Sequence, residues 1–233
     1  MFFCMSAMCF AVVLDFYIET KYYIDTKVNY LNGGYRAMII DKINEKMKSN
    51  NYVLSTEQLI DLGVSKTTLT NYVRDGLIER CGHGYYTMPD TIEDDMYLLM
   101  LRSKHIIFSH ETALFLNGLS ERTPFVHTIT IPSNAAIPAT IKDQCKCHYI
   151  RPELHELGLI EKPTTFGNIV RCYDIERTLC DILRSRNRMD EETVIAAIKS
   201  YGEFKDKNMI RLEDYAERFR VSKKVRQYME VLL

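Results

Sequence analysis

The sequence has no excess of charge of either sign, no apolar run long enough to cross a bilayer, no glycine-rich phosphate loop and no low-complexity stretch. Each absence removes a class of function. A net charge of −1 excludes a chain-wide basic field, so any contact with nucleic acid has to come from a local cluster. The apolar run over residues 1–14 is shorter than the ~20 residues a spanning helix needs, and no Lys or Arg precedes it as in a secretory leader. Neither known glycine spacing for cradling a phosphate occurs, and no cofactor is expected. Seven cysteines, an odd number in irregular places, make no disulfide framework and fit a reducing compartment, here the bacterial cytoplasm.

The hydrophobic share of 46% and charged share of 26% are ordinary for a globular protein, and 233 residues suffice for two small domains or one large one. Residues 1–37 read as upstream DNA translated in frame. Gly33-Gly34 can be encoded by the purine run of a bacterial ribosome-binding site, and three codons (Tyr35, Arg36, Ala37) then separate it from Met38. On this reading residues 1–37 are a disordered, non-native extension; a signal sequence or membrane anchor are the alternatives.

From Met38 the pattern becomes regular. Ile39, Ile40, Ile43 and Met47 recur at helical spacing and form one apolar stripe. Ser55-Thr56-Glu57-Gln58 is a capping box that opens a short helix through Leu62. Gly63 suits a tight turn, Val64 an apolar plug, and Ser65 a second N-cap for a helix over Lys66–Arg74. Leu77–Arg80 and Tyr85–Thr87 read as strands joined by the turn Cys81-Gly82-His83-Gly84. Helix, short helix, turn, helix and hairpin is the order of a winged helix-turn-helix, predicted here over 38–89. Residues 90–233 read as a larger mixed α/β domain, giving an α+β chain. Its elements include a helix from Asp94, a strand at Ile106–Phe108, a helix capped by Ser109, strands at Thr128–Ile131, Cys147–Ile150 and Ile169–Tyr173, and helices capped by Asp174 and Asp190. Leu212–Leu233 reads as mostly helical. Val221-Ser222-Lys223 echoes Val64-Ser65-Lys66; the two segments are either unrelated capped helices or a repeated helix-turn-helix shape.

A recognition helix presents its N-terminal residues to base edges in the major groove. Here that face offers Lys66, Thr67, Thr70, Asn71 and Arg74: an amide that fits adenine, cations that favour guanine, and methyl-bearing hydroxyls that meet thymine. No acid lies between Ser65 and Arg74. Residues 38–89 hold six bases and six acids, so the unit is neutral overall and its positive charge is local. Arg80 and His83 in the wing are placed for phosphate or minor-groove contact. So little charge implies double-stranded operator DNA bound as a homodimer on a palindrome.

Other constellations are better explained structurally. His105, Ser109, His110 and Glu111 are too close in sequence for a triad, whose members the fold normally gathers from distant segments. Cys145, Cys147 and His148 are half a metal site without a partner pair, unless Cys172 or Cys180 approaches, and small buried apolar residues are the simpler reading. Asp174, Glu176 and Asp181 suggest a nuclease only if they share a face; Asp174 as a cap and Asp181 as the partner of Arg177 account for them. No catalytic or metal residue is therefore assigned. Arg218, Arg220, Lys223, Lys224 and Arg226 form a basic C-terminal cluster, either a solvated face or a second contact surface.

The winged unit, the run Phe108-Ser109-His110-Glu111-Thr112-Ala113-Leu114-Phe115-Leu116-Asn117-Gly118-Leu119-Ser120-Glu121-Arg122-Thr123-Pro124, the strand ending Ile131-Pro132, the segment Val170–Arg186 and Leu212–Ala216 together resemble the AbiEi antitoxins of abortive-infection systems. The resemblance spans Met38–Leu233. It implies a non-enzymatic autorepressor of a toxin–antitoxin operon, active in phage defence. Its C-terminal domain would counteract a nucleotidyltransferase-like toxin without a stable complex, with Arg177, Lys223, Lys224 and Arg226 as candidates for that surface. The rival expectations are a DNA-guided nuclease or modifying enzyme, and a ligand-sensing winged-helix regulator without a toxin.

Overall fold

The structure, a computed structural model, describes residues 34–232. The described residues divide into two compact units, the first up to Thr91 and the second from Ile92 onward. Secondary structure is mixed, with α-helices and two separate sheets.

In the first unit, helix α1 covers 34–49. Residues 34–37, expected to lie outside the fold, continue this helix, and Arg36 takes part in it by pairing with Asp75. That expectation is corrected for these four residues; the rest of the supposed extension lies outside the described residues. The α1 stripe packs inward as its spacing requires, with Ile39, Ile43 and Met47 buried. Strand β1 (Leu54–Ser55) leads into α2 (Thr56–Asp61). The capping box is complete: the Gln58 N–H donates to Ser55 Oγ at 3.2 Å, and the Ser55 N–H donates to Gln58 Oε1 at 2.8 Å. Such a cap stabilises a helix by about 1 kcal/mol. Gly63 turns the chain at φ 90°, a conformation costly for any side chain, and Val64 plugs the core behind it. Helix α3 (Lys66–Arg74) starts on Ser65, whose Oγ accepts the Thr68 N–H at 3.1 Å. Strands β2 (Glu79–Gly82) and β3 (Tyr85–Thr87) form the hairpin, with an irregularity between Arg80 and Gly82. The sheet order is β1-β3-β2. The two-residue β1 went unforeseen because so short a strand carries no alternation to read.

The second unit is built on a five-stranded mixed sheet of order β6-β5-β4-β8-β7. In chain order it holds α4 (Asp95–Leu101), β4 (Ile107–Phe108), α5 (His110–Leu116), β5 (Thr128–Pro132), α6 (Ala139–Gln144), β6 (Lys146–Ile150), β7 (Leu159–Pro163), β8 (Ile169–Tyr173), α7 (Ile175–Arg184), α8 (Glu191–Glu203), α9 (Met209–Arg218) and α10 (Ser222–Leu232). Strand β5 pairs parallel with β6 and antiparallel with β4, while β8 pairs parallel with β4 and antiparallel with β7. Pro132 ends β5, where a missing N–H does least harm to the ladder. One apolar cluster joins the strands to α4 and α6; a second gathers α5, α7, α8, α9 and α10. Helix α7 is the hub of the second cluster, with every residue from Ile175 to Leu183 buried. The stretch Leu212–Leu233, expected to be mostly helical, lies in two helices that break at residues 219–221 and fold back on α7.

Candidate nucleic-acid interface

The face of α3 named from the sequence points outward. Leu69 and Tyr72 anchor the helix in the core, which turns Lys66, Thr67, Thr70 and Arg74 to solvent and leaves Asn71 half-buried. Thr70 Oγ1 folds back onto the Lys66 carbonyl at 3.0 Å, so its methyl is presented outward while its hydroxyl is internally satisfied. Among the described residues the side chains of Lys66, Thr67 and Asn71 have no hydrogen-bond or ion-pair partner and keep their full capacity for a ligand.

Arg74 has one local partner, Asp75, at 3.2 Å. Asp75 also takes Arg36 at 2.5 Å, and these two hydrogen bonds, Arg36 first, hold its carboxyl below the usual carboxylate range. Arg36, which also sits 5.4 Å over the Tyr72 ring, thus shares the acid that would otherwise neutralise Arg74. This residue is missed when the fold is started at Met38; a cation aligned with the helix stripe was the available signal.

At the wing, Arg80 donates from Nε to the Gly82 carbonyl at 3.1 Å and lies 3.1 Å from His83 Nδ1. If Arg80 donates there, the neutral imidazole carries its proton on Nε2. Both side chains are exposed, so the wing tip carries a braced guanidinium whose remaining donors are open to a phosphate.

The candidates in the second unit separate into two kinds. Arg177 is no surface residue. It is fully buried, with Nε 2.9 Å from Asp181 Oδ2 and Nη1 donating at 2.8 Å to the carbonyls of both Leu154 and Leu157. Its guanidinium is sandwiched between Tyr173 and Phe219 at 4.1 and 4.0 Å. The expectation that it contacts a partner is corrected: α7 is central, and every residue from Ile175 to Leu183 is buried among the neighbouring elements. Lys223, Lys224 and Arg226 are exposed on α10. Lys224 donates to the Leu183 carbonyl at 2.8 Å and Arg226 pairs with Glu213 at 3.3 Å.

The remaining polar constellations are structural ties. Asp174 caps α7 and accepts from Tyr215; Glu176 accepts from the Asn208 N–H at 2.8 Å. Ser109 stands at the start of α5 but makes no side-chain cap, a departure from the reading above. Its hydroxyl instead accepts from Thr130 at 2.8 Å and meets His110 Nδ1 at 3.0 Å. His110, at a left-handed φ of 48°, reaches Ser185 with its other nitrogen at 3.0 Å and stacks on His148 with ring centres 3.8 Å apart. Burial, against the pull of Asp181, pushes its pKa down to about 4. His105 is elsewhere, offering its carbonyl to His155. Burial raises the Cys145 thiol to about 11 and the Cys172 thiol to about 12, the reverse of what a metal-binding thiolate needs. Among the described residues no group of three or more His, Cys, Asp or Glu side chains is placed to share a metal ion, and no helix is long and apolar enough to cross a membrane.

Comparison with known proteins bears on both units. Among curated proteins none matches the chain. Among solved structures, the crystal structure of the RV2827C protein from Mycobacterium tuberculosis aligns with a TM-score of 0.58 at 13% identity, over 77% of this chain and 71% of that one; it speaks to the fold alone. Residues 41–89 match the family model described as "Transcriptional regulator, AbiEi antitoxin", and they contain the α2–α3 pair and the wing just described. Residues 41–89 of this chain are therefore similar to the winged region of AbiEi-type transcriptional regulators.

Proposed function

We propose that the chain is an operator-binding autorepressor and an antitoxin, with residues 38–89 as the DNA-binding domain and 90–233 as the antitoxin domain. Helix α3 enters the major groove with Lys66, Thr67, Thr70, Asn71 and Arg74 toward the bases, and Arg80 and His83 meet the flanking backbone. A homodimer on a palindromic operator doubles the few phosphate contacts one module can make. The antitoxin role acts on a nucleotidyltransferase-like toxin in the bacterial cytoplasm without a stable complex. Lys223, with Lys224 and Arg226 beside it, is the exposed cationic surface for that role. The role is regulatory rather than catalytic.

The observation that carries this reading is the outward, acid-free face of α3 with its unengaged Asn71 amide and Lys66 ammonium, in a region that matches the AbiEi regulators. The test is a gel shift of the full chain on DNA from upstream of its own gene. Asn71→Ala and Arg74→Ala are each expected to weaken operator binding by roughly 5- to 150-fold, the equivalent of about 1–3 kcal/mol per base contact. Arg80→Ala, at the flanking backbone, should lower the slope of log affinity against log salt by about 0.9. Undiminished binding by the Asn71 and Arg74 variants refutes the proposal. A nucleotidyltransferase reading frame beside the gene, toxic when expressed alone and harmless with this chain, tests the antitoxin half.

A further inference from the structure

The second unit carries a pair of adjoining clefts, each about 430 Å³, a size typical of ligand sites. One is lined by His148, Arg184, Ser185 and Arg188; the other by Arg151, Arg184, Arg218 and Arg220. Tyr149 and Arg184 line both, so the two are continuous. No Asp or Glu lines either one.

Five arginines around one concavity repel one another, and the structure only partly offsets this. Arg184 lies 3.3 Å from Asp181 and Arg218 2.9 Å from Asp214. Among the described residues Arg151, Arg188 and Arg220 have no ion-pair partner. Arg220 also occupies a left-handed backbone position, φ 58°, just beyond α9, where glycine or asparagine is the usual choice. An arginine at such a position, lining a cleft together with the unpaired Arg151 and no acid, points to an anion. The floor is polar and fixed: Ser185 is held by the buried His110, which stacks on His148.

Tyr149 decides which anion. It stands half exposed on β6, the edge strand of the sheet, between the two cationic clefts. An aromatic plate flanked by arginines suits a chain that alternates phosphates with free base faces. A duplex keeps its bases stacked inside and offers none to such a plate. We propose that this track binds single-stranded nucleic acid, with Arg184, Arg188, Arg151 and Arg220 on successive phosphates and one base stacked on Tyr149. The residues of this track all belong to the second unit, and the proposal does not depend on the operator reading.

The test uses the full chain and fluorescein-labelled twelve-nucleotide oligo-U and oligo-dT, read by fluorescence anisotropy. Tyr149→Ala is expected to weaken binding by roughly 5- to 150-fold, the range for one stacked base, while Tyr149→Phe binds like the parent. Arg151→Ala with Arg188→Ala should reduce the salt slope by about 1.4, at about 0.7 per phosphate on a single strand. Arg74→Ala should leave oligonucleotide binding intact whatever it does to the operator, and Tyr149→Ala should leave operator binding intact whatever its strength. Three results each overturn the proposal: no oligonucleotide binding by a parent chain that melts cooperatively; equal binding by parent and Tyr149→Ala; or displacement of the oligonucleotide by polyglutamate at equal phosphate and carboxylate concentrations, which assigns the clefts to an acidic protein.

Discussion

Replacing Arg177 with alanine should cost the second unit far more than any exposed arginine costs. The side chain is wholly buried, pairs with an equally buried Asp181 at 2.9 Å, satisfies the carbonyls of Leu154 and Leu157, and fills the space between two aromatic rings. Alanine leaves Asp181 charged and without its main partner; Arg184, 3.3 Å away and about a third exposed, replaces little of that attraction. Removing one member of a buried ion pair costs about 3–5 kcal/mol. The ring contacts, at most about 2 kcal/mol each when desolvated, fall within that figure because truncation reads all losses together. For a unit the size of Ile92–Leu233, 1 kcal/mol moves Tm by about 2–4 °C, so the expected drop is about 6–20 °C. Thermal melts by far-UV circular dichroism measure it. Arg177→Met combined with Asp181→Leu should recover most of the loss, because an apolar pair of similar volume has no charge to strand. Arg177→Lys should fall between, keeping the charge but losing the fork and the stacking plane. A melt of Arg177→Ala within about 2 °C of the parent would refute the reasoning and return Arg177 to the list of surface contacts.

Two further outcomes follow from the same packing. Gly158 has φ 76°, and a Cβ built on it would stand 2.7 Å from the Arg177 Cβ; Gly167 has φ 83° with nothing within 4 Å. Both Gly→Ala changes meet the left-handed penalty of about 1–2 kcal/mol, but Gly158→Ala adds an overpacking cost of about 1–3 kcal/mol, so equal urea midpoints for the two variants contradict the close approach. His110 is held neutral, its pKa pushed by burial from 6.5 to about 4, so the unfolded chain binds the extra proton first as pH falls. Stability should therefore be lost between pH 6.5 and about 4, by up to roughly 3 kcal/mol from this residue, and level off below. His110→Gln should flatten the dependence of Tm on pH across that window, and a parallel curve would remove His110 as its source.

The winged region was legible in the sequence because its signals are local. A capping box, a glycine with positive φ, a second N-cap and an apolar stripe at helical spacing act over a few residues each, and they place Ser55, Gly63, Ser65 and α3 without reference to any distant contact. The same logic turned Lys66, Thr67, Thr70 and Arg74 outward, since Leu69 and Tyr72 had to go in.

Arg177 shows where local reasoning stops. Its spacing to Asp181 was readable, and the pair forms, but whether that pair faces water depends on α5, α8, α9 and α10 closing around α7. The capping hydroxyl of Ser109 was diverted for a similar reason: Thr130 and His110 arrive from the sheet and from a strained backbone and compete for it. The arginine clefts draw on β6, the end of α7 and the α9–α10 corner, segments separated by tens of residues, and of their lining the sequence marked Arg218 and Arg220, as part of the basic C-terminal cluster. The sequence by itself determined the helix starts, the turn and the outward chemistry of α3, because hydrogen bonds and periodicity within a few residues suffice for those. Which charges are buried, and which converge on one concave surface, only the tertiary structure decided, because burial and convergence belong to the packing of elements far apart in the chain.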